Sequence, residues 1–208
     1  MNNNKTLFGL LLFLGFPYLL QFLHLDLILF EVGMWALLLM IILWILFVEK
    51  RTLASIGWKK LTLKTTFIWI GFGLIIFILF GIITTVIQAL DLELNQDIAQ
   101  LIAGQSIPVL MLIALRAGIV EEVLYRGFAY ERIYDLTKSK WLAALIPVIL
   151  FTLIHLSWGV GHLVFVFIAA GIFMLMYISK RNLALIIIAH FVTDVLALLV
   201  LPMMLSQQ

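Results

Sequence analysis

The chain has no cysteine among its 208 residues. That removes disulfide frameworks, thiolate metal sites and a cysteine nucleophile. Charge is scarce too: Asp, Glu, Lys and Arg make up 12%, where a soluble domain carries roughly 25%. Proline occurs only four times. No polar stretch is long enough to make a soluble domain, and no basic cluster suits a nucleic-acid partner. What fills the space is hydrocarbon: 65% of the residues are hydrophobic and the mean hydropathy is +1.21. These numbers describe a single integral membrane domain over 1–208, all-α, because open sheet edges find no partners in lipid. After "MNNNK" the apolar run continues without a small-residue cleavage site, so no removable leader is expected.

A crossing helix needs about 20 apolar residues. That length predicts a polytopic bundle of about seven transmembrane helices, near 7–23, 27–48, 65–90, 106–130, 141–157, 163–179 and 183–201. The loops alternate in charge. Lys50, Arg51, Lys59, Lys60 and Lys64 occupy one, Arg132, Lys138 and Lys140 another, and Lys180 and Arg181 a third. The 91–105 loop holds Asp91, Glu93 and Asp97 without a Lys or Arg. The excess of Lys and Arg on cytoplasmic loops predicts a multi-pass plasma-membrane protein with the N-terminus inside and the C-terminus outside. Trp58, Trp141 and Trp158 fall at span ends, where aromatic belts lie. No internal repeat supports an inverted-repeat transporter.

Inside the spans the ionisable residues are Glu31, Arg116, Glu121, Glu122, Arg126, His155, His190 and Asp194. Each costs a few kcal/mol at mid-membrane, which marks it as a functional candidate. Glu31 lies one turn from the outer end of its span and is expected to reach the interface. Arg116 is expected to pair with a carboxylate. Glu122 and Arg126 form an i,i+4 pair with the acid first, the favourable order on a helix. Glu121 then stands apart as a candidate general base, since one of two neighbouring carboxylates in a low dielectric is driven toward neutral titration. His155, one turn after Phe151, and the i,i+4 pair His190 and Asp194 add two imidazoles and an acid on other helices. His24 and His162 lie at span ends and are expected at the interface.

Three patterns therefore occur in order: E-E-x-x-x-R at 121–126, F-x-x-x-H at 151–155 and H-x-x-x-D at 190–194. Together they resemble the CPBP family of intramembrane proteases, which includes CAAX prenyl endopeptidases and bacteriocin-processing or self-immunity proteins. "EEVLYRG" is similar to the first family motif, "FTLIHL" to the second and "LALIIIAHFVTD" to the third, so the likeness runs over about 106–201, the expected catalytic core. The family's last motif position is often Asn; here it is Asp194, which favours holding His190 or binding a metal over donating to an oxyanion.

The resemblance implies peptide-bond hydrolysis by water. In one version Glu121, helped by His155, activates the water, His190 stabilises the oxyanion, Asp194 holds His190, and Glu122 with Arg126 supports Glu121. In the other, Glu121, His155, His190 and Asp194 ligate Zn²⁺ or another divalent ion that lowers the pKa of its water. The substrate would be a peptide or protein, lipidated in the CAAX case, or a leader peptide or bacteriocin-like chain. Two other classes use the same residues: a non-catalytic immunity or partner-binding membrane protein, and an ion-coupled transporter. No H-E-x-x-H occurs, Ser106 lacks a G-x-S-x-G context, and no paired protease aspartates appear. At 1.5 Å per residue His155 comes out roughly 20 Å and His190 roughly 10 Å from the cytoplasmic ends of their helices. A helix beginning at Pro147, or a tilted one, would bring them level, and Glu121 and both rings are expected to converge within about 8 Å.

Overall fold

The structure is a computed structural model that describes residues 3–92 and 96–205, with side chains for all of these but 96–99 and 201–205. Of the acidic loop, Glu93 and the Asp97 side chain therefore lie outside the described residues. No strand occurs among the described residues. The helices are α1 (Asn3–Phe22), α2 (Leu27–Leu43), α3 (Leu63–Ala89), α4 (Gln96–Ala103), α5 (Ile107–Arg116), α6 (Tyr130–Thr137), α7 (Lys140–Leu153), α8 (Val160–Lys180) and α9 (Leu183–Leu205). α2 runs on through a π-helical turn, Trp44–Val48. A longer π-helix, Ala117–Ala129, joins α5 to α6 in one continuous rod.

Side chains set the helix starts. Asp26 accepts from the Leu29 amide at 2.9 Å to open α2, and Thr62 and Thr65 cap each other's backbone at the head of α3. Ser139 accepts from the Leu142 amide to open α7.

Among the described residues, five helices are long and apolar enough to cross a membrane: Asn3–Phe22, Leu27–Val48, Leu63–Ala89, Val160–Lys180 and Leu183–Val200. Their outward faces carry large apolar residues such as Phe8, Ile28, Phe67, Ile75 and Leu175, each more than half exposed, as expected of surface that meets lipid. The other two predicted spans differ in kind. The α5–π–α6 rod carries both glutamates and its arginines inward, and the whole stretch Val120–Tyr130 is buried. α7 has 14 residues, about 21 Å of helix. It begins at Lys140, so Pro147 lies within it. Of the two ways of levelling the histidines, a start at Pro147 does not occur, because Ser139 caps the helix eight residues earlier, in line with the predicted span from 141.

α9 is the central packing element, against α3, α5 and the π-helix. Close approach is possible where glycine faces it: a Cβ at Gly118 would sit 3.1–3.2 Å from Phe191. Thr193 completes the seam by donating to the Gly73 carbonyl of α3 at 3.1 Å.

The three basic loops meet at one end of the bundle. Arg132, fully buried, donates to both oxygens of Glu49 at 2.6–2.9 Å and to Ser55. Arg51 pairs with Asp135 at 2.7 Å and Arg181 with Glu131 at 2.6 Å. Tyr177 donates to Glu131 at 2.7 Å, and its ring lies against Gly57, whose φ of +77° turns the 49–64 loop inward. Trp58 and Trp141 are exposed near this end, in keeping with an aromatic belt.

Breaking a buried ion pair from one side leaves an uncompensated charge and costs about 3–5 kcal/mol. Arg132→Met is therefore expected to lower the thermal midpoint of the detergent-purified protein sharply. Combining it with Glu49→Leu should restore most of the loss, as measured by thermal-shift fluorescence.

Candidate active site

The π-helix that carries "AGIVEEVLYRGFA" does more than connect two helices. In an α-helix, residues five apart lie about 140° from one another around the axis. Where the hydrogen bonds run from residue i to i+5, residues four and five apart both come near the same line. That register lets the glutamate doublet face two arginines at once. Arg116, five residues before Glu121, donates from Nη1 to Glu121 Oε1 at 2.6 Å. Arg126, four residues after Glu122, places Nη1 3.1 Å from Glu122 Oε1.

Each acid thus has its own arginine, and each arginine is anchored elsewhere. Arg126 is 1% exposed. Its Nη2 donates to the Ala170 carbonyl of α8 at 3.1 Å, and it lies between the rings of Phe151 and Phe173, at 5.4 and 5.9 Å from their centroids. Arg116 instead reaches α2: its Nε lies 3.1 and 3.2 Å from the two Glu31 oxygens and its Nη2 3.0 Å from Oε1. The expected pairing of Arg116 with a carboxylate holds. Glu31, expected near the interface, turns its side chain toward this charged partner and keeps 17% of its surface.

Glu122 also holds the second imidazole. His190 Nδ1 lies 2.7 Å from Glu122 Oε1, and its Nε2 lies 3.3 Å from Asp194 Oδ2. The ring stacks on Phe173 at 4.7 Å. Glu122, Arg126, His190 and Asp194 therefore form one connected group. Glu121 is reached through Arg116 and not through Glu122, so the support expected of Glu122 and Arg126 goes to His190 instead.

His155 sits just past the end of α7, beyond its last helical residue, Leu153. Its Nδ1 donates to the Phe151 carbonyl at 2.9 Å, since a carbonyl can only accept, and this leaves Nε2 with the lone pair. Phe151 in turn packs edge-on against His155 and Tyr125, both at 4.9 Å. Glu121 and Arg116 lie within electrostatic reach of His155, and Asp194 within reach of Arg116. His162 stacks on Trp158 at 4.6 Å with His155 5.7 Å away.

Among the described residues, Glu122 Oε2, Tyr125 Oη and Arg126 Nε are buried on this rod without a hydrogen-bond partner, and Arg126 Nη1 has only its ion-pair contact with Glu122. Such groups cost about 1–3 kcal/mol each, and proteins carry that cost mainly where the groups have other work. Glu121 contrasts with its neighbour, since its side chain keeps 11% of its surface while that of Glu122 keeps none.

The four candidate metal ligands do not assemble. Among the described residues no three His, Asp or Glu side chains are grouped to hold an ion. Both His190 nitrogens face carboxylates, and the Glu121 carboxylate faces a guanidinium, so the donors are already engaged with one another. The arrangement does not fit a metal, and no step is routed through one.

Residues 103–196 match the family model of type II CAAX prenyl endopeptidase Rce1-like proteins. The match covers a little under half of the chain and contains all three motifs, in agreement with the resemblance read from them. It supports an endopeptidase that works inside the membrane. No curated protein and no solved structure matches the chain.

A site whose donors are engaged in this way should not respond to metal. The thermal midpoint of the purified protein is expected to stay constant on adding Zn²⁺ or a strong chelator. A midpoint that rises with Zn²⁺ in the wild type and not in His190→Ala would place an ion there.

Proposed function

We propose that the Rce1-like segment houses an intramembrane endopeptidase in which Glu121 and His155 activate water. The observation that carries this reading is the division within the doublet. Glu122 is sealed and committed to His190 and Arg126, whereas Glu121 is held at one oxygen and keeps part of its surface. Only the second arrangement suits a group that must meet a water molecule and a substrate.

The steps follow from the contacts. Glu121 takes a proton from water as the water oxygen bonds to the scissile carbonyl carbon, with His155 Nε2 accepting a hydrogen bond from the same water. The carbonyl oxygen becomes an oxyanion, to which His190 donates from Nε2 as that nitrogen gives up its long 3.3 Å contact with Asp194, while Glu122 holds Nδ1 at 2.7 Å. The proton held by Glu121 then passes to the leaving amine as the C–N bond breaks, and atoms and charge balance. Asp194 acts by holding His190 rather than by touching the oxyanion, consistent with an acid where the family more often has Asn.

In this reading the α5–π–α6 rod and α7 complete a seven-crossing bundle in the plasma membrane, with the basic-loop end in the cytoplasm and the C-terminus outside. The substrate is a peptide or protein presented at the membrane, and a prenylated CAAX-type chain is the one that the matching family acts on. A non-catalytic immunity protein would need no carboxylate with residual access, whereas an ion-coupled transporter would use one and predicts solute flux in proteoliposomes.

Loss of a general base costs about 10²–10⁴-fold in rate. Glu121→Gln and His155→Ala are each expected to slow cleavage of an internally quenched, prenylated Cys-aliphatic-aliphatic-X peptide in proteoliposomes by amounts of that order. Mass spectrometry of the products would locate the bond cut. Cleavage at wild-type rate in both variants would sink the enzyme reading.

Orientation is open to a direct test because the chain has no cysteine of its own. Lys60→Cys is expected to react with a membrane-impermeant maleimide only after cell lysis, and His24→Cys in intact cells. The reverse pattern would invert the topology.

A further inference from the structure

We propose that Glu31, on α2 and outside the segment that matches the family, is a positioning residue for Glu121 and acts through Arg116. The inference rests on the reading of Glu121 as the group that activates water.

The geometry of Arg116 carries it. A guanidinium presents five N–H donors in a rigid plane, so fixing one edge fixes the direction of the rest. Glu31 occupies the Nε/Nη2 edge, with contacts of 3.1 and 3.2 Å to Nε and 3.0 Å to Nη2. The ring of Phe30, the neighbouring residue, lies 5.7 Å from the guanidinium carbon. With that edge held, the free Nη1 points at Glu121 Oε1 at 2.6 Å. The carboxylate of Glu121 is thus aimed by a residue 90 positions earlier in the chain.

Charge makes a second argument. Arg116 carries one positive charge and contacts two carboxylates, so it cannot neutralise both. Glu31 thus sets the charge beside Glu121 as well as the direction of the guanidinium that Glu121 contacts. The three side chains keep only 10–17% of their surface, so water screens them little. The nearby ionisable groups are His155, within reach of Glu121, and Asp194, within reach of Arg116. Glu122 has its own arginine.

As a device for stability alone the triad is a poor choice, because buried ion pairs roughly break even against apolar side chains of the same size. Its place beside the one accessible carboxylate of the doublet gives it another use.

The test is steady-state cleavage of the quenched prenylated peptide by full-length protein in proteoliposomes. Glu31→Gln, which keeps shape and removes the charge, is expected to lower kcat roughly 10- to 100-fold, the scale of a misplaced reacting group. KM should stay within about twofold, since Glu31 touches no substrate. Glu31→Asp should recover part of kcat by restoring the charge. Where Glu31→Gln fails to fold, Arg116→Lys carries the same test, because it keeps the charge and loses the fork. An unchanged kcat in Glu31→Gln, or a rise in KM alone, overturns the proposal while leaving Glu121 as the base. Full activity in Glu121→Gln removes the reading beneath it, and the proposal with it.

Discussion

Pairing between guanidinium and carboxylate groups in a nearly dry interior is the interaction on which the rest of this protein depends. Two adjacent acids in an apolar helix are untenable alone. Arg116 and Arg126 make them tenable from opposite directions along the same rod. The pairing also dictates the helix type. The Arg116–Glu121 separation of five residues closes in π register and would splay apart in α register, so a widened helix and a charged site come together. Gly118 is part of the same solution, because a side chain there would push α9 away and take His190 from Glu122.

Much of this was legible in the sequence, and the gaps have physical causes. Composition alone requires a helical membrane bundle, and the Glu122–Arg126 spacing announces its own contact. The three motifs mark the rod, the end of α7 and α9, which the structure brings around one site. The Arg116–Glu31 contact is hidden because its partners lie 85 positions apart and neither belongs to a motif. The π register is hidden because apolar periodicity says little in a segment buried on every side. The start of α7 at Lys140, one residue from the predicted span, follows from the Ser139 cap, and Pro147 sits inside the helix without ending it. Length by itself does not fix helix ends either: 141–157 is apolar enough to be read as a span, and the helix covers Lys140–Leu153 of it.

A site assembled this way does not end where sequence similarity ends. The matched segment holds the doublet, His155, His190 and Asp194, all candidates for the site. The first three helices, which carry no motif, still contribute. α2 supplies Glu31, α3 braces α9 through Gly73, and α1 supplies Tyr18 and Gln21, which donate to the carbonyls of Leu150 and Ile154. These last contacts serve the end of α7, where helical carbonyls lose their partners.

That ending has a consequence for the supply of the second reactant. Hydrolysis inside a bilayer is limited by the scarcity of water in hydrocarbon. A helix about 21 Å long stops well short of a core about 30 Å thick, and irregular backbone is not tolerated against lipid tails. The turn at 154–159 therefore calls for cover by protein or by water, and His155 lies in that turn, just past the last helical residue. In the proposed reaction, water that covers the turn is also the water nearest His155.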